Sequence, residues 1–195
     1  MYVKNCMTPD PISIKPSEEV NFAIHLLKKH GFRQLLVIKN DLLLGIITER
    51  DLRGVLSQPN LAIESVMTPQ PITISEDATV ESAAQIIRRR KINALPVISK
   101  EDKIVGIITV TDLMDALINM LRFKEEPQRI ILKMSKGVDL YEVIQLLQIY
   151  SEKVVSFTSA SDDNLLYYFW VINCDYDKLD SKLEEKGIDA EIIHH

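Results

Sequence analysis

The sequence has little of what marks several large classes of protein. Its two cysteines, Cys6 and Cys174, lie far apart in a chain of 195 residues. This arrangement fits neither a disulfide framework nor a metal-binding pair, and it favours two reduced thiols. No apolar run approaches the ~20 residues that a membrane-spanning helix requires, and the N-terminus lacks the pattern of a signal peptide. The sequence therefore predicts a soluble, cytoplasmic protein.

A surplus of positive charge is also missing. The chain has 23 Lys and Arg against 28 Asp and Glu, a net charge of −5. Residues 1–127 hold 16 basic and 16 acidic residues, whereas the remainder holds 7 basic and 12 acidic residues. Proteins that bind the nucleic-acid backbone need a basic surface. Nucleic-acid binding is therefore disfavoured.

Motifs of the common catalytic sites are absent. The sequence contains no GxxxxGK[ST] phosphate loop, no HExxH zinc motif and no nucleophile elbow. His25 and His30 are five residues apart on a predicted helix, so they do not share a face as metal ligands at i and i+4 would. We therefore expect neither catalysis nor a metal site.

What the sequence does contain is an internal duplication. Four blocks recur in one order, the first three at an offset of 60 and the last at 61. One residue has thus been gained in the turn after the second strand. The paired blocks are Met7–Ile12 with Met67–Ile72, Val20–Leu27 with Val80–Ile87, Leu35–Ile38 with Leu95–Ile98, and Gly45–Leu52 with Gly106–Leu113.

Each copy is predicted to fold as strand, helix, strand, strand, helix. Apolar residues in Val20–Leu27 recur at i, i+3, i+4 and i+7, the pattern of a helix with one buried face. We expect an N-cap at Ser17, a C-cap at Gly31 and, in the second copy, a helix that begins at Asp77. The predicted strands include Ile12–Ile14, Ile72–Ile74, Leu35–Ile38 and Leu43–Ile47.

These blocks resemble the cystathionine-β-synthase (CBS) domain family over residues 5–121. The shared motifs are MTP-x-PI, an amphipathic helix, LPVI and GIIT-x-x-DL. The resemblance implies an α/β tandem CBS pair, or Bateman module, with repeats at 1–60 and 61–124. Two repeats packed face to face form a cleft between them, where small ligands commonly bind. In the family, that ligand is often an adenosine compound.

The candidate ligand residues begin with two T-x-x-D segments, each where a strand passes into a helix. From the residues alone, Thr at the N-cap and Asp three positions later form a capping box that needs no ligand. The resemblance implies a second role, with Thr48 and Thr109 on phosphate and Asp51 and Asp112 on ribose. Both roles are compatible if the hydroxyl caps through a lone pair and donates its proton to the ligand.

The resemblance also indicates residues for the adenine and the phosphates. The adenine contacts are expected from Ile12, Ile14, Ile72 and Ile74 and from the residues before the second strands, Arg33, Gln34, Asn93 and Ala94. Arg50, Arg90 and Lys91 are phosphate candidates, although a basic run at a helix end is typical of a solvated terminus. Because Asn93 cannot replace the charge of Arg33, we expect one occupied site rather than two.

The last third, residues 128–195, is predicted to fold as a ferredoxin-like βαββαβ domain. Behind a CBS pair, this order resembles an ACT domain, and the layout resembles that of acetoin-utilisation AcuB-type proteins. The segment Ser135–Val138 keeps a glycine but not the usual amino-acid-binding pattern. The predicted strands are Arg129–Met134, Val154–Ala160, Leu165–Ile172 and Ala190–Ile193, with helices from Asp139 and over Asp175–Lys186.

The strand Leu165–Ile172 is apolar on both faces. Helices cover only one face of such a sheet, so the other face is expected to be covered as well. This predicts a homodimer interface anchored by Tyr168 and Trp170. Overlap by the CBS pair within one chain is the alternative.

Together these observations favour a non-catalytic regulator that binds an adenine nucleotide (AMP, ADP or ATP) or S-adenosylmethionine and acts through dimerisation on a partner enzyme. No catalytic cofactor is expected. Two alternatives stay open: an amino-acid sensor that works through the ACT-like domain, and a scaffold that binds no small molecule.

Overall fold

A computed structural model describes residues 1–121, 126–134, 137–159, 166–186, 188 and 190–194. The chain divides into two compact units, Met1–Ala116 and Leu117–His195. The predicted linker at 124–127 and the predicted turn at 161–164 lie wholly or partly outside the described residues. Among the described residues, no helix is both long enough and apolar enough to cross a bilayer.

The duplicated elements occur in the predicted order, with one additional short strand at the start of each copy. Repeat 1 consists of β1 (Thr8–Pro9), β2 (Ser13–Ile14), α1 (Val20–His30), β3 (Gln34–Lys39), β4 (Leu42–Thr48) and α2 (Glu49–Arg53). Repeat 2 consists of β5 (Thr68–Pro69), β6 (Ile74–Ser75), α3 (Val80–Arg90), β7 (Ala94–Ile98), β8 (Ile104–Thr109) and α4 (Val110–Met120).

The two repeats exchange their first strands. One sheet has the order β2-β3-β4-β5 and the other β1-β8-β7-β6, so β5 completes the sheet of repeat 1 and β1 completes that of repeat 2. The residues before these strands also pack on the other repeat, so we call residues 1–9 and 61–69 the crossing segments. Ile63 is fully buried in the core of repeat 1, and Val3 is fully buried in the core of repeat 2. Each repeat is therefore completed by the segment that precedes the other.

This exchange explains why the MTP and GIIT motifs occur together. A Cβ atom on Gly45 would lie 2.5 Å from Sδ of Met67 and 2.9 Å from the carbonyl oxygen of Thr68. Gly106 has the same relation to Met7 and Thr8, at 2.5 and 2.9 Å. Because such separations are too short for a methyl group, the glycine of each repeat makes room for the methionine that precedes the other.

The predicted start of α1 is wrong by two residues. Glu19, not Ser17, is the N-cap, and its side chain makes no capping bond. The backbone of Glu19 forms a β-bridge with Ala62, and the next N–H donates to Leu61 O at 2.9 Å. These contacts with the crossing segment hold the backbone extended at Glu19, so the helix begins two residues later than predicted. The predicted C-cap is confirmed, with Gly31 in the left-handed region at φ 69°.

The start of α3 differs from its prediction in the same way. Thr79 is the N-cap, and its hydroxyl oxygen accepts a hydrogen bond from Ser82 N–H at 3.2 Å. Asp77, the predicted start, is instead bound through its carboxylate to Lys4 Nζ at 2.8 Å. Thr79 also forms a β-bridge with Tyr2. Tertiary pairing with the N-terminal segment therefore decides where this helix begins.

The second unit has the predicted βαββαβ order. Its strands form one antiparallel sheet with the order β10-β11-β9-β12, the arrangement of a split βαβ fold. Asp139 caps the first helix by accepting a hydrogen bond from Tyr141 N–H at 2.9 Å. The elements are β9 (Gln128–Met134), α5 (Leu140–Tyr150), β10 (Ser151–Ser159), β11 (Leu166–Cys174), α6 (Tyr176–Glu185) and β12 (Ala190–His194).

Strand β11, one of the two central strands of this sheet, has two apolar faces, as predicted. Phe169 and Val171 are fully buried in the core of the unit. Tyr168, Trp170 and Ile172 alternate with them and are half-buried. Since successive side chains of a strand point to opposite faces, these three residues lie on the face of the sheet that points away from that core.

Candidate functional site

Two clefts lie where the repeats meet. The first has a volume of about 580 Å³ and is lined by the 48–53 segment of repeat 1 and the 68–72 and 91–94 segments of repeat 2. The second has a volume of about 590 Å³ and is lined by the equivalent 109–112, 8–12 and 31–34 segments. Arg33, Gln34 and Asn93 line both. Both volumes lie in the range of small-molecule sites.

Each cleft contains one T-x-x-D segment in a closed capping box. Thr48 donates to Asp51 Oδ2 from its backbone N–H at 2.9 Å and from its hydroxyl at 2.7 Å. Asp51 N–H donates back to Thr48 Oγ1 at 3.4 Å. Thr109 and Asp112 repeat this pattern at 2.7, 2.8 and 3.3 Å. The predicted capping boxes are confirmed in both repeats.

The capping geometry bears on the predicted ligand contacts. The Thr48 hydroxyl donates its proton to Asp51, so a phosphate could receive that proton only if this bond were broken. The carboxylate keeps a free acceptor, because both bonds from Thr48 reach Oδ2. Among the described residues, nothing donates to Asp51 Oδ1 or to Asp112 Oδ1. The acids therefore retain more capacity for a ligand than the threonines.

The structure brings most of the predicted ligand residues together, but not all. Ile14 and Ile74 belong to the hydrophobic cores, at 3% and 6% exposure, and line neither cleft. Arg90 is exposed at the end of α3 and lines neither cleft. The first cleft contains Arg33, Gln34, Thr48, Arg50, Asp51, Ile72, Lys91, Asn93 and Ala94, and the second contains Ile12, Arg33, Gln34, Asn93, Thr109 and Asp112.

Several lining residues were missed by sequence reasoning. Asp10 and Gln70 occupy equivalent places in the two MTP-x-PI motifs, and both have left-handed backbones, with φ of 46° and 47°. The repeated motif was visible, but the exchange that carries each copy to the other repeat was not. The further missed residues are Ile46, Glu49, Arg53, Thr68, Pro71 and Ile92 in the first cleft, and Thr8, Pro11, Gly31, Phe32, Ile107, Val110 and Thr111 in the second.

The two clefts differ in charge. Four basic side chains line the first cleft against two acidic ones, Glu49 and Asp51. One basic side chain, Arg33, lines the second cleft against Asp10 and Asp112. The basic residues of the first cleft are Arg33, Arg50, Arg53 and Lys91. The first cleft is therefore suited to an anion, and the second is not.

Neither cysteine has the environment of a reactive thiol. Burial raises the pKa of the Cys6 thiol, and the nearby Asp112 carboxylate raises it further. Burial also raises the pKa of the Cys174 thiol. Both groups therefore stay protonated at neutral pH, the unreactive form. In the part of the chain that the structure describes, no three His, Cys, Asp or Glu residues are grouped as metal ligands.

The sequence model of the CBS domain matches residues 3–58 and again residues 63–119, together more than half of the chain. The chain belongs to the CBS domain family. The two matches coincide with the two repeats, so the clefts lie between the halves of a CBS pair.

The inosine-5′-monophosphate dehydrogenase of Korarchaeum cryptofilum is 35% identical over 104 residues, which are 53% of this chain and 22% of that enzyme. The chain thus spans about a fifth of the enzyme.

Three similar solved structures match about three fifths of this chain and nearly all of their own length. The CBS domain pair of protein MJ0100, in complex with 5′-methylthioadenosine and S-adenosylmethionine, is 29% identical with a TM-score of 0.57, covering 61% of this chain and 97% of its own. Arabidopsis thaliana CBSX2 with AMP is 26% identical, TM-score 0.56, with the same coverages. A protein described as the acetoin utilization protein AcuB of Vibrio cholerae is 30% identical, TM-score 0.59, covering 65% and 96%.

Proposed function

We propose that this CBS protein is a non-catalytic regulator that binds an adenine nucleotide in its first cleft. The observation that carries the proposal is the cluster of four basic side chains around a cavity of about 580 Å³, next to an aspartate with a free carboxylate oxygen. Phosphate needs cationic partners, and a ribose diol needs an acceptor. The complexes of CBSX2 with AMP and of MJ0100 with adenosine compounds support the same ligand class.

The lining residues fit the parts of the nucleotide. Asp51 Oδ1 accepts the ribose hydroxyls, while Oδ2 stays in the capping box. The phosphate lies among Arg50, Arg53 and Lys91, which carry the positive charge of the cleft. Ile72 is 40% exposed, and its apolar surface in the cleft suits an adenine ring.

The backbone of Lys91 supports a role in binding. This residue is the C-cap of α3 and has a left-handed conformation, with φ of 54°. The equivalent residue of repeat 1 is Gly31, the residue type that suits this conformation. Lys91 thus sits in the cleft at a conformational cost. Strained backbone is found preferentially at functional sites.

Calorimetric titration of the whole chain with AMP, comparing Asp51→Asn with Asp112→Asn, tests the proposal. Asparagine still accepts the two bonds of the capping box, but it offers the ribose no charged acceptor. We expect Asp51→Asn to weaken AMP binding about tenfold or more, and Asp112→Asn to leave the tight site unchanged. Absence of AMP binding to the wild-type chain, or equal effects of the two changes, would contradict the assignment.

Signal transmission involves three parts of the chain. These are the repeats 1–60 and 61–124 and an ACT-type domain at 128–195, which forms a homodimer. The half-buried side chains of Tyr168, Trp170 and Ile172, on the face of β11 opposite the core, support a subunit contact there. A nucleotide that binds one arrangement of the pair better than another shifts the population between them. A partner enzyme then responds to the state of the dimer.

A further inference from the structure

We propose that the second cleft binds an adenosine compound that carries no phosphate, and that a phosphate-bearing ligand is confined to the first cleft. The inference rests on the proposed function, because it assigns a ligand class to each half of the same CBS pair. It follows from the residues that the two clefts have at equivalent positions.

The charge difference between the clefts arises at equivalent positions of the repeats. Where the first cleft has a cation, the second has a neutral residue, and where the first has a neutral amide, the second has a carboxylate. These three changes make the second cleft more negative, and they outweigh the one change that runs the other way, Glu49 in the first cleft against Val110 in the second. The pairs, with the first cleft given first, are Arg50 and Thr111, Lys91 and Gly31, and Gln70 and Asp10.

The one cation that lines the second cleft is not exclusive to it. Arg33 lines both clefts, as does its equivalent Asn93. A phosphate held in the first cleft attracts the guanidinium of Arg33, which leaves Asp10 and Asp112 without a facing cation. A second phosphate would then meet two carboxylates and no positive charge. A neutral or positively charged ligand meets no such repulsion.

The second cleft also has an aromatic wall where the first is aliphatic. Phe32 lines it at the position equivalent to Ile92, and the phenyl ring stacks on His30 with centroids 5.3 Å apart. Thioether sulfur and cations both make favourable contacts with aromatic rings. The wall therefore suits an adenosine whose 5′ substituent is a thioether or a sulfonium.

The first experiment titrates the whole chain with AMP to saturation and then with 5′-methylthioadenosine, using calorimetry. We expect one AMP per chain, followed by one 5′-methylthioadenosine that binds without releasing AMP. The inference is overturned if a second AMP binds with an affinity within about threefold of the first. It is also overturned if AMP binds but 5′-methylthioadenosine only displaces it. If neither compound binds at all, the proposed function itself fails.

Matched variants exchange the residues at one equivalent pair. Gln70→Asp puts the carboxylate of the second cleft into the first, and Asp10→Gln does the reverse; both sites already have the same left-handed backbone. We expect Gln70→Asp to weaken AMP binding about tenfold without changing 5′-methylthioadenosine binding. Asp10→Gln should weaken S-adenosylmethionine binding several-fold and leave the tight AMP site intact. Equal effects of both changes on AMP would refute the division between the clefts.

Discussion

Repeat 1 and repeat 2 agree at the glycines that pack against backbone and differ at several of the positions that line the clefts. Gly45 and Gly106 meet the same methionine and threonine atoms at the same distances. By contrast, Lys91 and Gly31 occupy equivalent places with different charge and different backbone freedom. Close packing requires glycine at both places, whereas several of the charged positions in the clefts have diverged.

The largest effect is expected from adding a methyl group where the repeats agree. Gly45→Ala and Gly106→Ala would each place Cβ 2.9 Å from a backbone carbonyl oxygen of the crossing segment. We expect each change to lower the free energy of unfolding by about 2–3 kcal/mol, measured by urea denaturation. Gly54→Ala is the control, since its Cβ would meet only Asp51 O at 3.4 Å. Effects of the size seen for Gly54→Ala would show that the close approach is unimportant.

A change of intermediate size is expected where the repeats differ. Lys91→Gly copies Gly31 into repeat 2. It relieves a left-handed non-glycine residue, so we expect the free energy of unfolding to rise by about 0.5–1 kcal/mol. It also removes a cation from the first cleft, so AMP binding should weaken several-fold to about tenfold.

The matched control for that change is Arg90→Ala, because Arg90 is exposed at the same end of α3 but lines neither cleft. We expect it to leave AMP affinity unchanged in the same titration. If Lys91→Gly stabilised the protein and left AMP binding intact, Lys91 would have no role in the site.

The smallest effect is expected from an ion pair that repeat 2 has and repeat 1 lacks. Asp77 binds Lys4 at 2.8 Å and Lys100 at 3.4 Å, whereas its equivalent is Ser17. Hydrogen bonds from Lys4 and Lys100 lower the pKa of Asp77. A lowered folded-state pKa adds stability above the unfolded pKa, and that stability is lost as pH falls through the folded pKa.

Asp77→Asn should therefore slightly lower the urea midpoint at pH 7 and low salt. The difference from wild type should disappear once the pH falls below the lowered pKa of Asp77, and it should shrink in high salt because the groups are exposed. A difference that persisted in acid would have to come from something other than the charge of Asp77.

Sequence reasoning predicted the elements that local patterns determine. The offset of 60 or 61 revealed the repeats, and T-x-x-D revealed both capping boxes. It failed where distant segments decide the backbone. Ser17 and Asp77 have the residue types of helix N-caps. However, pairing with the crossing segments holds the backbone extended two residues later, at Glu19 and Thr79. For the same reason, no local signal showed that Asp10 and Gln70 line the clefts. Nor did any local signal show that Ile14 and Ile74 lie in the hydrophobic cores instead.

The exchanged first strands have a consequence for the autonomy of each half. A chain cut between residues 60 and 61 would separate repeat 1 from β5 and Ile63, and repeat 2 from β1 and Val3. Each fragment would expose an unpaired sheet edge together with an unfilled core. Each would also carry the segment that the other lacks. The halves thus behave as two interlocked parts of one cooperative unit, and a lone half would need a second copy of itself to be complete.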